Sequence, residues 1–243
     1  MINKNIYLIL FSLLLFVSCT KEVKEITRPI EQSDAIFQYS TMVDLVNGKF
    51  DGTLTQAEYK SHGDFGIGTY NGVNGEMVYY DGIPYRVSFE GPVVVPPTDY
   101  LIPFANTKFF VADSSFSINV VTDDDSLKNN LLTTLLANDK PAAIKISGEF
   151  TYLKTRSVPK QSPPYGSIYD VIAQQNTFDL PNSTGTIVGF WMPEKLNNLN
   201  FPGFHFHYLN SDFTAGGHVL EFELKSGTVE IDFASEVIVQ LID

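Results

Sequence analysis

Along most of the chain, apolar positions occur in short runs or alternate with polar ones, a period that belongs to strands rather than helices. Residues 204–209 read Phe-His-Phe-His-Tyr-Leu, with aromatics on one parity and histidines on the other. Successive side chains of a strand point to opposite faces, so this stretch predicts a strand with an aromatic face and a histidine face. Strand patterns also mark 143–153, 186–191, 219–224, 228–232 and 237–241, and 109–121 alternates in the same way. Between 62 and 87 the apolar runs are short and divided by Asn71-Gly72, Asn74-Gly75 and Asp81-Gly82, dipeptides that favour tight turns between strands.

Helical spacing is rarer. From 123 to 138, Asp and Ser open a segment in which Leu127, Leu131, Leu132, Leu135 and Leu136 form one stripe, which predicts a core-facing helix. Shorter helices are predicted over 55–60 and 168–175, and Pro159, Pro163 and Pro164 mark an irregular connection. A helix, a turn and a Thr-rich strand occur twice, around Thr69 and around Thr186, a faint internal echo. The fold class that follows is α+β: mostly antiparallel or mixed β-sheets in two sheet-rich halves, with a few short helices.

Composition adds bounds. The 243 residues, 44% hydrophobic, suffice for one large domain or two small ones with a real core. A formal charge of −12 without a basic patch argues against nucleic acid as a partner, and an anionic small substrate needs a local cation to offset that field. Lys4 precedes an apolar run over 6–17 that is too short to span a bilayer comfortably and has the length of a signal-peptide core. Phe16-Val17-Ser18-Cys19 resembles the cleavage box of bacterial lipoproteins, with Phe16 where Leu is usual. The expected organisation is a lipoprotein-type signal peptide over 1–18, a polar tether over 19–34 and a folded domain over 35–243. A lipidated Cys19 would hold the protein at a membrane surface of the cell envelope without spanning it; the competing reading is an ordinary secretory signal with an incidental cysteine. Cys19 is the only cysteine, so the remaining chain offers no disulfide, no thiolate nucleophile and no Cys-ligated zinc.

Three of the four histidines fall within 205–218. In a strand His205 and His207 share a face, and ten residues separate His207 from His218, enough for a turn and a return on the neighbouring strand. Gly216-Gly217 before His218 lets backbones approach closely. Neutral imidazole is the common protein ligand of zinc, and a catalytic zinc takes three such ligands plus an open position. The bland alternative is a surface strand with hydrogen-bonded histidines. Glu76, entering an apolar strand after Asn74-Gly75, has two readings: a partly buried carboxylate suited to proton transfer, or, preferred from the residues alone, a strand-edge carboxylate in water. Arg156, between Lys154 and Lys160, is either a receptor for a carboxylate substrate or part of a solvated loop. The glycines of 63–72 match neither a phosphate-binding loop nor a dinucleotide fingerprint, and Asp123-Asp124-Asp125 reads as a helix start rather than a calcium loop.

Three segments taken in order, GDFGIGTYNGVNGEM, TRSVPKQ and PGFHFHYLNSDFTAGGHVLEF, resemble the signature segments of acetolactate decarboxylases, over about 37–224. The resemblance implies zinc held by His205, His207 and His218, with Glu76 and Arg156 facing its open side and Thr69 lining the pocket. It implies a two-part, sheet-rich subunit, often a homodimer. It also implies decarboxylation of 2-acetolactate to acetoin, the metal acting as a Lewis acid that stabilises an enediolate without thiamine or pyridoxal. Family members often extend further and bring a second carboxylate to the site, and Glu221, Glu223 and Glu230 are not matched to that role. Two alternatives stand beside this reading: a catalytically impaired metal- or ligand-binding surface lipoprotein of the same fold, and a metal-dependent enzyme acting on another 2-hydroxy-3-keto acid.

Overall fold

The computed structural model describes residues 34–242. The expected signal peptide and Cys19, and the tether up to residue 33, lie outside the described residues. Among those described, no helix is long and apolar enough to cross a membrane. The first part of the chain forms β1 (Ala35–Tyr39), α1 (Met42–Val46), β2 (Leu54–Thr55), α2 (Gln56–Tyr59), β3 (Phe65–Thr69), β4 (Glu76–Tyr80), β5 (Ile83–Val87), β6 (Val93–Val94), β7 (Leu101–Ile102) and β8 (Ala105–Lys108). The second forms β9 (Ser114–Ile118), β10 (Thr122–Asp123), α3 (Asp124–Asn138), β11 (Ala142–Ser157), α4 (Ile168–Ile172), β12 (Asn176–Asp179), β13 (Ser183–Met192), β14 (Gly203–Asn210), β15 (Gly216–Phe233) and β16 (Glu236–Gln240).

Two seven-stranded sheets carry the fold. The first has the order β16-β1-β8-β3-β4-β5-β6, antiparallel except for the parallel β16–β1 pair. In the second, β11 pairs with both β13 and β15 while β14 joins β13 to β15, so these four strands close on themselves. The α+β class with two sheet-rich halves holds; the strand orders differ, and the echo around Thr69 and Thr186 is not a repeated unit.

Strand alternation explains how the core divides. In β1, Ile36 points between the sheets and joins Ile67, Val78, Val188, Phe190 and Leu209. Its neighbours Phe37 and Tyr39 point outward to Leu54, Tyr59 and Tyr79. The aromatic face of β14, Phe206 and Tyr208, packs into the second sheet's own core with Phe150, Phe222 and the α3 leucines. Its histidine face therefore turns toward the first sheet.

Several predicted elements change in detail. Asp123 caps α3 by accepting from the Ser126 amide, and Leu127, Leu131 and Leu135 are buried, but Leu136 is 64% exposed. One residue beyond Leu135 is a turn of about 100° around a helix, which carries Leu136 off the stripe. The strands predicted at 219–224 and 228–232 are one strand, β15, because Lys225-Ser226-Gly227 stays beside β11 through compensating register shifts near Phe150. The strand at 237–241 pairs with β1 in the first sheet rather than completing the C-terminal one. In 109–121 only Ser114–Ile118 is strand, and the helix predicted over 168–175 ends at Ile172, just ahead of β12.

Candidate metal centre

β14 presents His205 and His207 two residues apart on one face, and the register β14–β15 sets His207 opposite His218. One ligand nitrogen from each of the three rings lies within 4.8 Å of the others. The Gly216-Gly217 pair makes this approach possible. A Cβ on Gly216 would stand 2.2 Å from the Tyr208 carbonyl oxygen, and one on Gly217, at φ +127°, would stand 2.5 Å from that of Arg156. Any larger residue would push β15 away from β14 or β11 and carry His218 off the cluster.

His207 is the best defined of the three. Its Nδ1 lies 2.7 Å from the Met77 carbonyl oxygen. A carbonyl only accepts, so Nδ1 carries the proton and Nε2 keeps its lone pair. That Nε2 is buried and has no hydrogen-bond partner. Burial holds His205 down to about 4, with the Arg156 charge adding to the effect. It likewise holds His207 and His218 well below the usual imidazole range. All three are thus neutral near pH 7, the protonation state that binds a metal. The 3.6 Å approach of His207 to Glu76 is for the same reason not an ion pair. An inward-facing set of three neutral imidazoles, one with an orphaned lone pair, fits a transition-metal ion such as zinc. Against the alternative of a surface strand with hydrogen-bonded histidines, His207 is buried, His205 and His218 are half-buried, and all three converge on one point.

Glu76 begins β4, an interior strand, and shares its inward parity with Val78. It is buried, not a strand-edge carboxylate in water as the residues alone suggested. Burial raises its pKa, and Arg156 partly offsets the rise. Arg156 is not in a solvated loop: it lies in β11 opposite His218, with Nη1 3.7 Å from the Glu76 carboxylate. Neither Lys154 nor Lys160 lines the cavity, so the expected group of three cations reduces to one. Thr69 pairs with Glu76 across β3–β4 and donates its hydroxyl proton to the Gly75 carbonyl at 2.7 Å, bracing the turn that delivers Glu76.

These groups line a cavity of about 390 Å³ between the sheets. Its other walls come from residues the sequence did not single out, among them Met42, Leu45, Phe104, Val158, Ile168 and Ile172. No periodicity points to them, because they sit in short helices and connections. The Met77 carbonyl was equally hidden, since a backbone group leaves no mark in a sequence. Of the carboxylates considered for a second site role, Glu230 pairs with Lys145 and Glu223 accepts from Thr151, and neither these nor Glu221 lines the cavity.

Residues 36–243 match the family model described as alpha-acetolactate decarboxylase. An alpha-acetolactate decarboxylase of Methanosarcina mazei is 37% identical over 209 residues, covering 86% of this chain and 73% of that protein. One from Bacillus licheniformis is 35% identical, covering 86% and 83%. The crystal structure of alpha-acetolactate decarboxylase from Bacillus subtilis superposes with a TM-score of 0.84 at 32% identity, over 86% of this chain and 89% of that one.

Proposed function

We propose that this chain, which belongs to the alpha-acetolactate decarboxylase family and is a carboxy-lyase, decarboxylates 2-acetolactate to acetoin and carbon dioxide in a zinc-dependent reaction. The observation that carries the zinc dependence is the convergent triad of buried His207 and half-buried His205 and His218, with the His207 Nε2 lone pair unclaimed. Zinc held by these three histidines would supply the Lewis acidity that the developing oxyanion needs.

The side chains divide the remaining work. The substrate is an anion entering an acidic protein, and Arg156 is the cation in the cavity that meets its carboxylate. As the carbon–carbon bond to that carboxylate breaks, its electron pair moves toward the ketone oxygen, and a proton must then reach the carbon left behind. Glu76, kept readily protonated by burial, holds the proton exchanged at the substrate hydroxyl. The Arg156–Glu76 contact sets the two groups against each other. Thr69 acts by holding the turn before Glu76.

Purified protein incubated with 2-acetolactate should release acetoin, and a chelator should abolish the release until zinc is restored. Absence of acetoin from fully zinc-loaded protein overturns the proposal and favours the metal-binding reading. We also propose, from the apolar run that ends at Cys19, that the protein is exported and lipid-anchored in a bacterial envelope. Expressed in a bacterium, it should sediment with membranes while Cys19→Ser does not; equal solubility of both rejects the anchor.

A further inference from the structure

The cavity is larger and more apolar than its polar groups require. At about 390 Å³ it falls in the range that holds drug-sized ligands. The groups able to bind oxygen atoms are gathered together: the three histidines within 4.8 Å, and Glu76 within 4 Å of both His207 and Arg156. Much of the remaining lining belongs to a separate apolar cluster. Met42, Leu45, Val73, Phe104, Val158 and Ile168 are six of its eight buried members, and all six line the cavity. That cluster is a chamber wall rather than a remote core.

The wall is built and held. α1 is capped by Thr41, which accepts from the Asp44 amide, and α4 by the Ser167–Asp170 capping box. The Leu199 carbonyl accepts from both the Met42 amide and Gln38 Nε2, tying α1 and β1 to the segment at the cavity's rim. Asn200 completes the tie. Its Oδ1 accepts from the Phe201 amide, and its Nδ2 donates to Gln38 Oε1 and Asn106 Oδ1. All three amides are buried and mutually satisfied, so the rim residue Phe201 stands on a fixed backbone.

A 2-hydroxy-3-keto acid carries its carboxylate, hydroxyl and ketone on adjacent carbons, and the polar cluster accounts for all three. The carbon that bears the hydroxyl carries one more group, an apolar one. In 2-acetolactate it is a methyl, which leaves much of this apolar wall without a contact partner. We propose that the chamber walled by α1 and α4 is a recognition subsite for this 2-substituent, and that the enzyme favours 2-hydroxy-3-keto acids whose substituent is longer than methyl. The inference rests on the proposed function for the orientation of the substrate.

The test separates binding from turnover. Saturated 2,3-dihydroxy acids lack the ketone that accepts the electron pair and cannot lose carbon dioxide. Their affinity for zinc-loaded full-length protein, measured by calorimetry with methyl, ethyl, propyl and butyl at the 2-position, should tighten about fourfold per added methylene. A flat or weakening series overturns the subsite. The matching keto acids should show the same trend in kcat/KM. If the dihydroxy series tightens while no keto acid is turned over, the subsite stands and the catalytic reading fails. Ile172→Trp, at the chamber's half-buried edge, should cut the butyl-to-methyl affinity ratio by about tenfold, and Leu45→Phe should shift it in the same direction. An unchanged ratio in both variants, with zinc content intact, rejects this location.

Discussion

Glu76 and Arg156 act on each other before they act on any substrate. Burial alone would neutralise the carboxyl, while the guanidinium 3.7 Å away draws it back toward the ionised form. A group balanced in this way exchanges a proton easily. Glu76→Gln keeps the size and the hydrogen-bonding edge and removes the titration. Its kcat should fall by about 10²–10⁴-fold with zinc content unchanged, as elemental analysis of the same preparation can establish. Zinc lost together with activity would assign Glu76 to holding the metal instead. Arg156→Lys keeps the charge but not the planar fork, so it should lower kcat/KM mainly through KM; an equal fall in kcat would place Arg156 in the chemical step. The histidines were legible because alternation and a glycine pair are local signals. The burial of Glu76 and Arg156 was not, because it arises only where two sheets meet.

At the scale of elements, alternation located most strands, and the errors have physical causes. The Lys-Ser-Gly stretch at 225–227 looks like a turn, yet pairing with β11 on a shifted register keeps it extended. The sheet that β16 joins is not legible, because nothing in a strand's own pattern names its partner, and here the partner is β1, some two hundred positions away. The stripe of α3 was legible to within one residue. Leu131 is 2% exposed and Leu136 64%, so the two leucines give a direct contrast. Leu131→Ala should cost about 2–5 kcal/mol, whereas Leu136→Lys should stay within about 0.5 kcal/mol. Denaturant unfolding of both variants measures the difference, and a large loss from Leu136→Lys would mean that its exposed side packs against something in solution.

Across the whole molecule the two sheets share an apolar core crossed by polar links. In one, Lys108 of β8 meets Asp232 of β15 at 3.3 Å, both side chains 3% exposed. Burial pushes Asp232 up from its ordinary 3.8 to about 6, against the Val111 amide and the Lys108 charge. Between those values the native state binds more protons than the unfolded chain, so this contribution is fully present below 3.8 and is lost as pH rises through about 6. Asp232→Asn removes the titration. Relative to wild type, and whatever its baseline, the variant should gain roughly 3 kcal/mol from acid to neutral pH; a difference that does not move with pH would rule out a raised Asp232. Another link runs through the candidate metal centre. His207 of the second sheet is held by the Met77 carbonyl of the first, and His218 comes from the strand beside it. An ion bound by the triad therefore ties β14 to β15 at the point where β4 already braces them. It favours the folded chain only, because the unfolded chain does not gather the three rings. Free zinc a thousandfold above its dissociation constant stabilises by about 4 kcal/mol. The thermal midpoint should fall when a chelator is added and recover with zinc, and in His218→Ala it should respond to neither. A wild-type midpoint indifferent to zinc that is shown to be bound would mean that the ion sits elsewhere, and the triad would lose its claim as the centre of the site.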